Sequence, residues 1–258
     1  MTVLTPRPTT ADLVRGVVVA VLAVVQVLVS AVGGAGIGEV ARSYDTPLLA
    51  AGWTFSVWGL IYLGFLLAAG FALLPGQQGR AIHRRVGWWL AVSAVLNPLW
   101  ILAFSQRWVV TAELLLIGLV VVLGVAYRRL ARERADGWVE RLAFRLPVAI
   151  YLGWSAVALV LGLMTAGVAV GVPADGAVPQ TGAILLLVVL TAGALSVIGS
   201  TCGFAGFAAA VVWGLAGIAG NDRPVAVTVV VIVAAVVVGL QAVRRTARSV
   251  EPVRLALG

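Results

Sequence analysis

The chain has no lysine, one histidine and one cysteine, and only 11% of its 258 residues are charged. Each shortage excludes something. The lone cysteine, Cys202, rules out an internal disulfide and any cysteine-based metal cluster. The lone histidine, His83, sits among Arg80, Arg84 and Arg85 and reads as a solvated loop residue, not a ligand. No helix-length segment offers His, Asp or Glu at metal-ligand spacing, and there is no glycine-rich phosphate loop or nucleophile motif. No metal or cofactor is therefore expected, and an enzyme ranks last among the functions considered. Soluble domains carry about 25% charged residues, so the scarcity of charge also argues against a soluble domain.

What is present is apolar. Hydrophobic residues make up 62% of the chain. Runs of about 18 or more apolar residues recur, each long enough to cross a bilayer as a helix. The protein is expected to be polytopic in the membrane, with the lipid bilayer as its first partner. A net charge of +8 could suggest nucleic acid, but the arginines fall between the apolar runs. They read as topogenic loops, and no nucleic-acid partner is expected. Arginine as the only basic side chain besides histidine, with many Ala, Val and Gly, looks like high-GC codon usage. From this we expect a bacterial source and a multi-pass protein of the inner membrane.

The first run, "GVVVAVLAVVQVLVSAVGG", follows Arg7 and Arg15. It is longer than a signal-peptide core and is read as an uncleaved first helix. Eight spans are expected, at 14–33, 47–74, 86–105, 109–127, 146–170, 181–200, 203–220 and 224–243. With the N-terminus inside, fifteen arginines fall on the inner side and three (Arg42, Arg107 and Arg223) on the outer. That asymmetry places both termini in the cytoplasm. Eight of nine tryptophans and all four tyrosines precede residue 155. The chain therefore divides into an aromatic bundle, 1–170, expected to form the ligand-binding unit, and a plainer three-helix transmembrane extension, 171–258. In the extension Gly206, Ala210 and Gly214 form a small-residue ridge for packing on another helix.

The segment "AGWTFSVWGLIYLGF", residues 51–65, holds five aromatic rings in mid-span, where interfacial belts do not place them. At 100° per residue, Phe55, Trp58, Tyr62 and Phe65 share one face, while Gly52, Ser56 and Gly59 lie a quarter-turn away and would let a neighbouring helix approach. Deep rings can be interhelical packing or the wall of a cavity for a flat apolar ligand. Asn97 and Pro98 lie in the middle of the third span, followed by Trp100. Glu113, one turn inside the fourth, is a functional candidate by its position, with a water-reaching or Arg107-paired carboxylate as the alternative. Tyr151 and Trp154, three apart, share a face of the fifth.

These motifs, in this order, resemble the TspO/translocator protein family, the tryptophan-rich sensory proteins. "VWGLIYLGF" is similar to the family's W-x-x-x-Y, "LNPLW" to its Asn-x-x-Trp, "TAELLLIGL" to its acidic opening of helix four, and "IYLGW" to its Tyr-x-x-Trp. The resemblance covers residues 10–170. It implies a TspO-like five-helix transmembrane bundle around an apolar pocket, here with three further helices. It also implies binding of a flat hydrophobic molecule such as a tetrapyrrole, in a sensory, regulatory or translocator role; porphyrin breakdown enters only through the resemblance. The expected ligand-binding residues are Trp58, Tyr62, Asn97, Trp100, Glu113, Tyr151 and Trp154, with Asn97 and Glu113 as polar anchors. Departures are a first loop with one proline and Gly162 where the family has an Asn. The rival readings are a secondary transporter of small hydrophobic molecules and a ligand-free assembly partner. A porphyrin and a second copy of the chain complete the candidate partners.

Overall fold

The computed structural model describes residues 7–258, and every regular element among them is helical. The first helix, α1 (Thr10–Gly33), starts at a reciprocal cap. The Thr9 hydroxyl accepts from the Asp12 N–H, and the Asp12 carboxylate accepts from the Thr9 N–H. A glycine turn, Gly34–Gly36, ends it and leads into the short α2 (Ile37–Tyr44). Next come α3 (Gly52–Leu73), α4 (Ala81–Ser105), α5 (Val109–Ala131) and α6 (Trp138–Ala169). The chain ends with α7 (Ala177–Ser200), α8 (Ala205–Ala219), α9 (Val225–Ala247) and the short α10 (Pro252–Leu257).

Seven of these helices are long and apolar enough to span a bilayer. The remaining apolar helix, α8, has 15 residues. That is about 22 Å of helix against a hydrocarbon core of about 30 Å. Its flanks nevertheless reach both faces. At one end Gly203 donates to the Leu255 carbonyl, beside a hydrogen bond between Tyr127 and Thr201. At the other, Asn221 donates to the Leu49 carbonyl. If α8 is counted with the seven, the crossings number eight, and the start of α1 and the end of α9 then fall on one face.

That face is the arginine-rich one, which the positive-inside rule makes cytoplasmic. Two buried ionic clusters tie the helix ends there. Asp12 accepts from both arms of Arg84 and from Arg15, at 2.6–2.9 Å. Glu140 accepts from Arg80 and Arg145, each at 2.7 Å, and Arg145 also donates to the Leu130 and Glu133 carbonyls. Arginine suits these positions because its planar fork satisfies several acceptors at once.

Five helices close a ring in the order α3, α1, α4, α5, α6, with α6 returning to α3. Pro147 has no N–H to donate, and a π-turn at Arg141–Arg145 precedes it in α6. The Pro147 ring then lies against Gly64 of α3, where a side chain would meet it at 2.9 Å. Outside the ring, α8 packs along α6, α9 packs on α8, and α7 packs on α9. The small-residue ridge explains the close α6–α8 approach. Gly206 faces Leu146 and Ile150, Gly214 faces Val157, and on the other helix Gly153 faces the Phe207 backbone.

Two expectations need correction. His83 is not a solvated loop residue: α4 begins at Ala81, so His83 points inward, 3% exposed, edge-on to Phe144 at 4.8 Å. Gly52 and Gly59 do not receive a neighbouring helix, because α1 has already turned away at Gly34–Gly36. Their faces line an open groove instead.

Candidate functional site

Trp58 is the hub of the aromatic cluster. Its ring centroid lies 5.6 Å from Tyr62, 5.5 Å from Trp100, 6.1 Å from Trp154 and 6.3 Å from Tyr151. All five rings expected from the sequence therefore meet, and Phe55, Phe65 and Phe104 extend the cluster against Trp154, Tyr151 and Trp100. Edge-to-face and offset contacts of this kind are each worth about 0.5–1.5 kcal/mol beyond area burial.

Between this cluster and the 37–50 segment lies an apolar cavity. Its floor is Trp58, Trp100, Phe104 and Trp154. Leu116 and Gly162 form one side, and Ile37, Leu49 and Ala50 close the top. About 40 Å³ of it is open to the centre of a water molecule. Ordinary ligand pockets run to roughly 300–1,000 Å³, so the cavity is closed down and holds only a small group as it stands. Next to it, a groove of about 370 Å³ opens between the end of α1, α2 and α3, lined by Ser30, Arg42, Gly59 and Tyr62. Ile37, Phe55 and Trp58 border both spaces, so these three side chains are the partition between them.

The seven expected site residues fall into two groups. Trp58, Trp100 and Trp154 line the cavity itself. Tyr62 faces the groove and donates its hydroxyl to the Asn97 amide oxygen at 3.4 Å. Asn97 is fully buried behind it, with its amide nitrogen unpartnered. Tyr151 is buried among rings with an unpartnered hydroxyl. Glu113, 5% exposed, lies against the bare Cα of Gly162 at the cavity edge. It makes no ion pair with Arg107, whose guanidinium donates to Ser43 instead. Residues that the sequence reading missed include Phe104, one turn past Trp100 and so recoverable from helical periodicity. The apolar residues of the 37–50 segment carry no such signal.

The closing segment is held from outside the ring. Asn221 donates to the Leu49 carbonyl at 3.0 Å, and Arg223 to the Thr46 carbonyl at 2.8 Å and the Asp45 carboxylate at 3.0 Å. The Ala51 N–H donates to the Gly217 carbonyl at 2.8 Å, and the Trp213 indole to the Thr54 carbonyl at 2.9 Å. Trp53 stands edge-on to Trp213 at 4.9 Å, and Thr54 fills the space over Gly217 where any side chain would clash. Trp213 therefore anchors the first turn of α3, next to the segment over the cavity. Among the described residues no group of three His, Cys, Asp or Glu side chains could hold a metal ion.

A ring of five membrane helices closing on an aromatic-walled cavity, with a short helix and loop folded over its mouth, defines a polytopic helical membrane protein with a lidded cavity. The chain matches the model of the TSPO-like protein family over residues 12–244 and belongs to that family. The match runs well past residue 170, so α7, α8 and most of α9 lie within the region that the family model describes. No curated protein and no solved structure matches the chain.

Proposed function

We infer that this TSPO-like membrane protein binds a flat hydrophobic ligand in the cavity beneath the 37–50 segment. The observation that carries this reading is the convergence of Trp58, Trp100 and Trp154 from three different helices on one enclosed apolar space. A tetrapyrrole is the ligand that the family resemblance suggests, in a sensory or regulatory role at a bacterial inner membrane, by binding and not by catalysis. A macrocycle does not fit the cavity as it stands. It requires the Ile37–Phe55 partition to move, which would merge the cavity with the adjoining groove.

Titration of protoporphyrin IX into the protein in phosphatidylcholine nanodiscs tests the reading. Saturable quenching of tryptophan emission at one site per chain is the expected result. Quenching that rises linearly with the porphyrin-to-lipid ratio would show partition into the bilayer only, and would refute a site. Flux of the same probe in reconstituted vesicles separates a binder, which shows none, from a transporter.

A further inference from the structure

We propose that the cavity selects a ligand bearing a positive charge, which it holds between the tryptophan faces and the Glu113 carboxylate. The proposal rests on the pocket reading above and narrows its ligand class. Three independent observations carry it.

The first is the carboxylate. Glu113 is 5% exposed within a membrane helix, and its Oε1 has no hydrogen-bond partner. A buried ionisable group in a span is costly unless something pairs with it. None of the ion pairs among the described residues involves Glu113, and the nearest basic residue in the sequence, Arg107, is directed to Ser43. The second is position. Gly162 lines the cavity, and the Glu113 carboxylate occupies the place its side chain would take, directly behind the lining and not in it. Only a glycine there lets the carboxylate come this close to the cavity. The third is the wall. Phe55, Trp58, Trp100, Phe104 and Trp154 present π-systems, and among the residues lining the cavity there is no Arg or His. Aromatic faces attract cations through the ring quadrupole, most strongly where water is excluded. The other polar groups of the lining are the Thr46 and Thr165 hydroxyls, the latter donating to the Leu161 carbonyl, and the indole N–H groups of the tryptophans, of which those of Trp58 and Trp154 are unpartnered and suit a neutral acceptor atom on the same ligand. A cation brought beside the Glu113 carboxyl offsets the cost of ionising it there, whereas an anion adds to that cost. The positive counterpart, Arg42, lies outside in the groove. An acidic substituent on a larger ligand is thereby directed to the mouth.

The test compares ligands of one ring system in phosphatidylcholine nanodiscs at pH 8. 9-Aminoacridine is a planar cation, acridine its neutral counterpart and anthracene-9-carboxylate an anion of the same size. Tryptophan quenching reports each, with protoporphyrin IX as reference. The expected order is 9-aminoacridine about tenfold tighter than acridine, on the scale of a desolvated cation–π contact, with the anion weakest. Glu113→Gln should bring the cation to within about twofold of acridine measured on the same variant, and Glu113→Asp should keep most of the preference. Thermal unfolding of both variants establishes that they are folded. Equal affinity for cation and neutral ring, or a preference that survives in Glu113→Gln, overturns the proposal and leaves the pocket reading standing. Binding of protoporphyrin without either acridine does the same. Failure of every probe to saturate overturns both.

Discussion

At the scale of single residues, the polar groups inside the bundle set the terms. Tyr62 and Asn97 form a cross-helix hydrogen bond at 3.4 Å, and nothing else satisfies the Asn97 side chain. Tyr62→Phe removes the donor and leaves a buried amide oxygen unpaired. The expected loss is about 1 kcal/mol, the lower end for an orphaned buried group, because the bond is long. Thermal unfolding in detergent measures it, and an unchanged midpoint would mean that Asn97 finds another partner. Gly162→Ala is more severe. Its methyl group would overlap the Glu113 carboxylate. One of the two must move, and an expected destabilisation of about 1–3 kcal/mol follows from overpacking. Glu113→Ala in the same chain should recover most of that loss if the clash is its cause. The sequence marked Glu113 as an odd residue to find in a span, but not its neighbour. A carboxylate resting on a glycine of another helix has no one-dimensional signature.

At the scale of elements, hydrophobic length located the spans and the 3.6-residue repeat put Phe55, Trp58, Tyr62 and Phe65 on one face, because both are local properties, whereas the meeting of Trp58, Tyr62, Trp100, Tyr151 and Trp154 across three helices was implied only by the family resemblance. The ridge on α8 was also legible, since small residues four apart mean close approach. Its partner, α6, could not be read in advance, because Gly153 supplies the other half of the contact only once the helices are paired. The hold of α8 and α9 on the 45–54 segment was equally hidden. It runs through backbone carbonyls at Thr46, Leu49, Thr54 and Gly217, which every sequence possesses. This contact changes what the C-terminal helices are expected to do. Trp213→Phe keeps a ring edge for Trp53 but removes the donor to Thr54. It should leave the affinity for any ligand nearly unchanged while speeding both association and release severalfold, since it loosens the start of α3 to which the closing segment is joined. Stopped-flow quenching reads this directly; unchanged rates would mean that the segment does not gate the cavity. Removal of 171–258, if the remaining bundle folds, should likewise retain binding with faster exchange. A folded but non-binding truncation would instead make the last helices part of the site.

At the scale of the whole molecule, orientation follows from charge. The inner face collects fifteen of the eighteen arginines, and the two buried ionic clusters at Asp12 and Glu140 lie on that same face. A reporter fused after residue 258 should therefore read cytoplasmic, and one inserted between residues 171 and 176 should read periplasmic. A periplasmic reading of the first would undo the count of eight crossings. The claim on which the rest depends is that the rings around Trp58 enclose a binding site and are not only filler. Trp58→Leu tests it most directly, by protoporphyrin quenching in nanodiscs. Leucine keeps the helix apolar and inserted while deleting the ring that separates cavity from groove. Trp88, half exposed on the outside of the bundle, supplies the control as Trp88→Leu. The expected result is about fivefold weaker binding in Trp58→Leu, near 1 kcal/mol, with Trp88→Leu unchanged. A Trp58→Leu protein that loses thermal stability yet binds as tightly as the parent would contradict it.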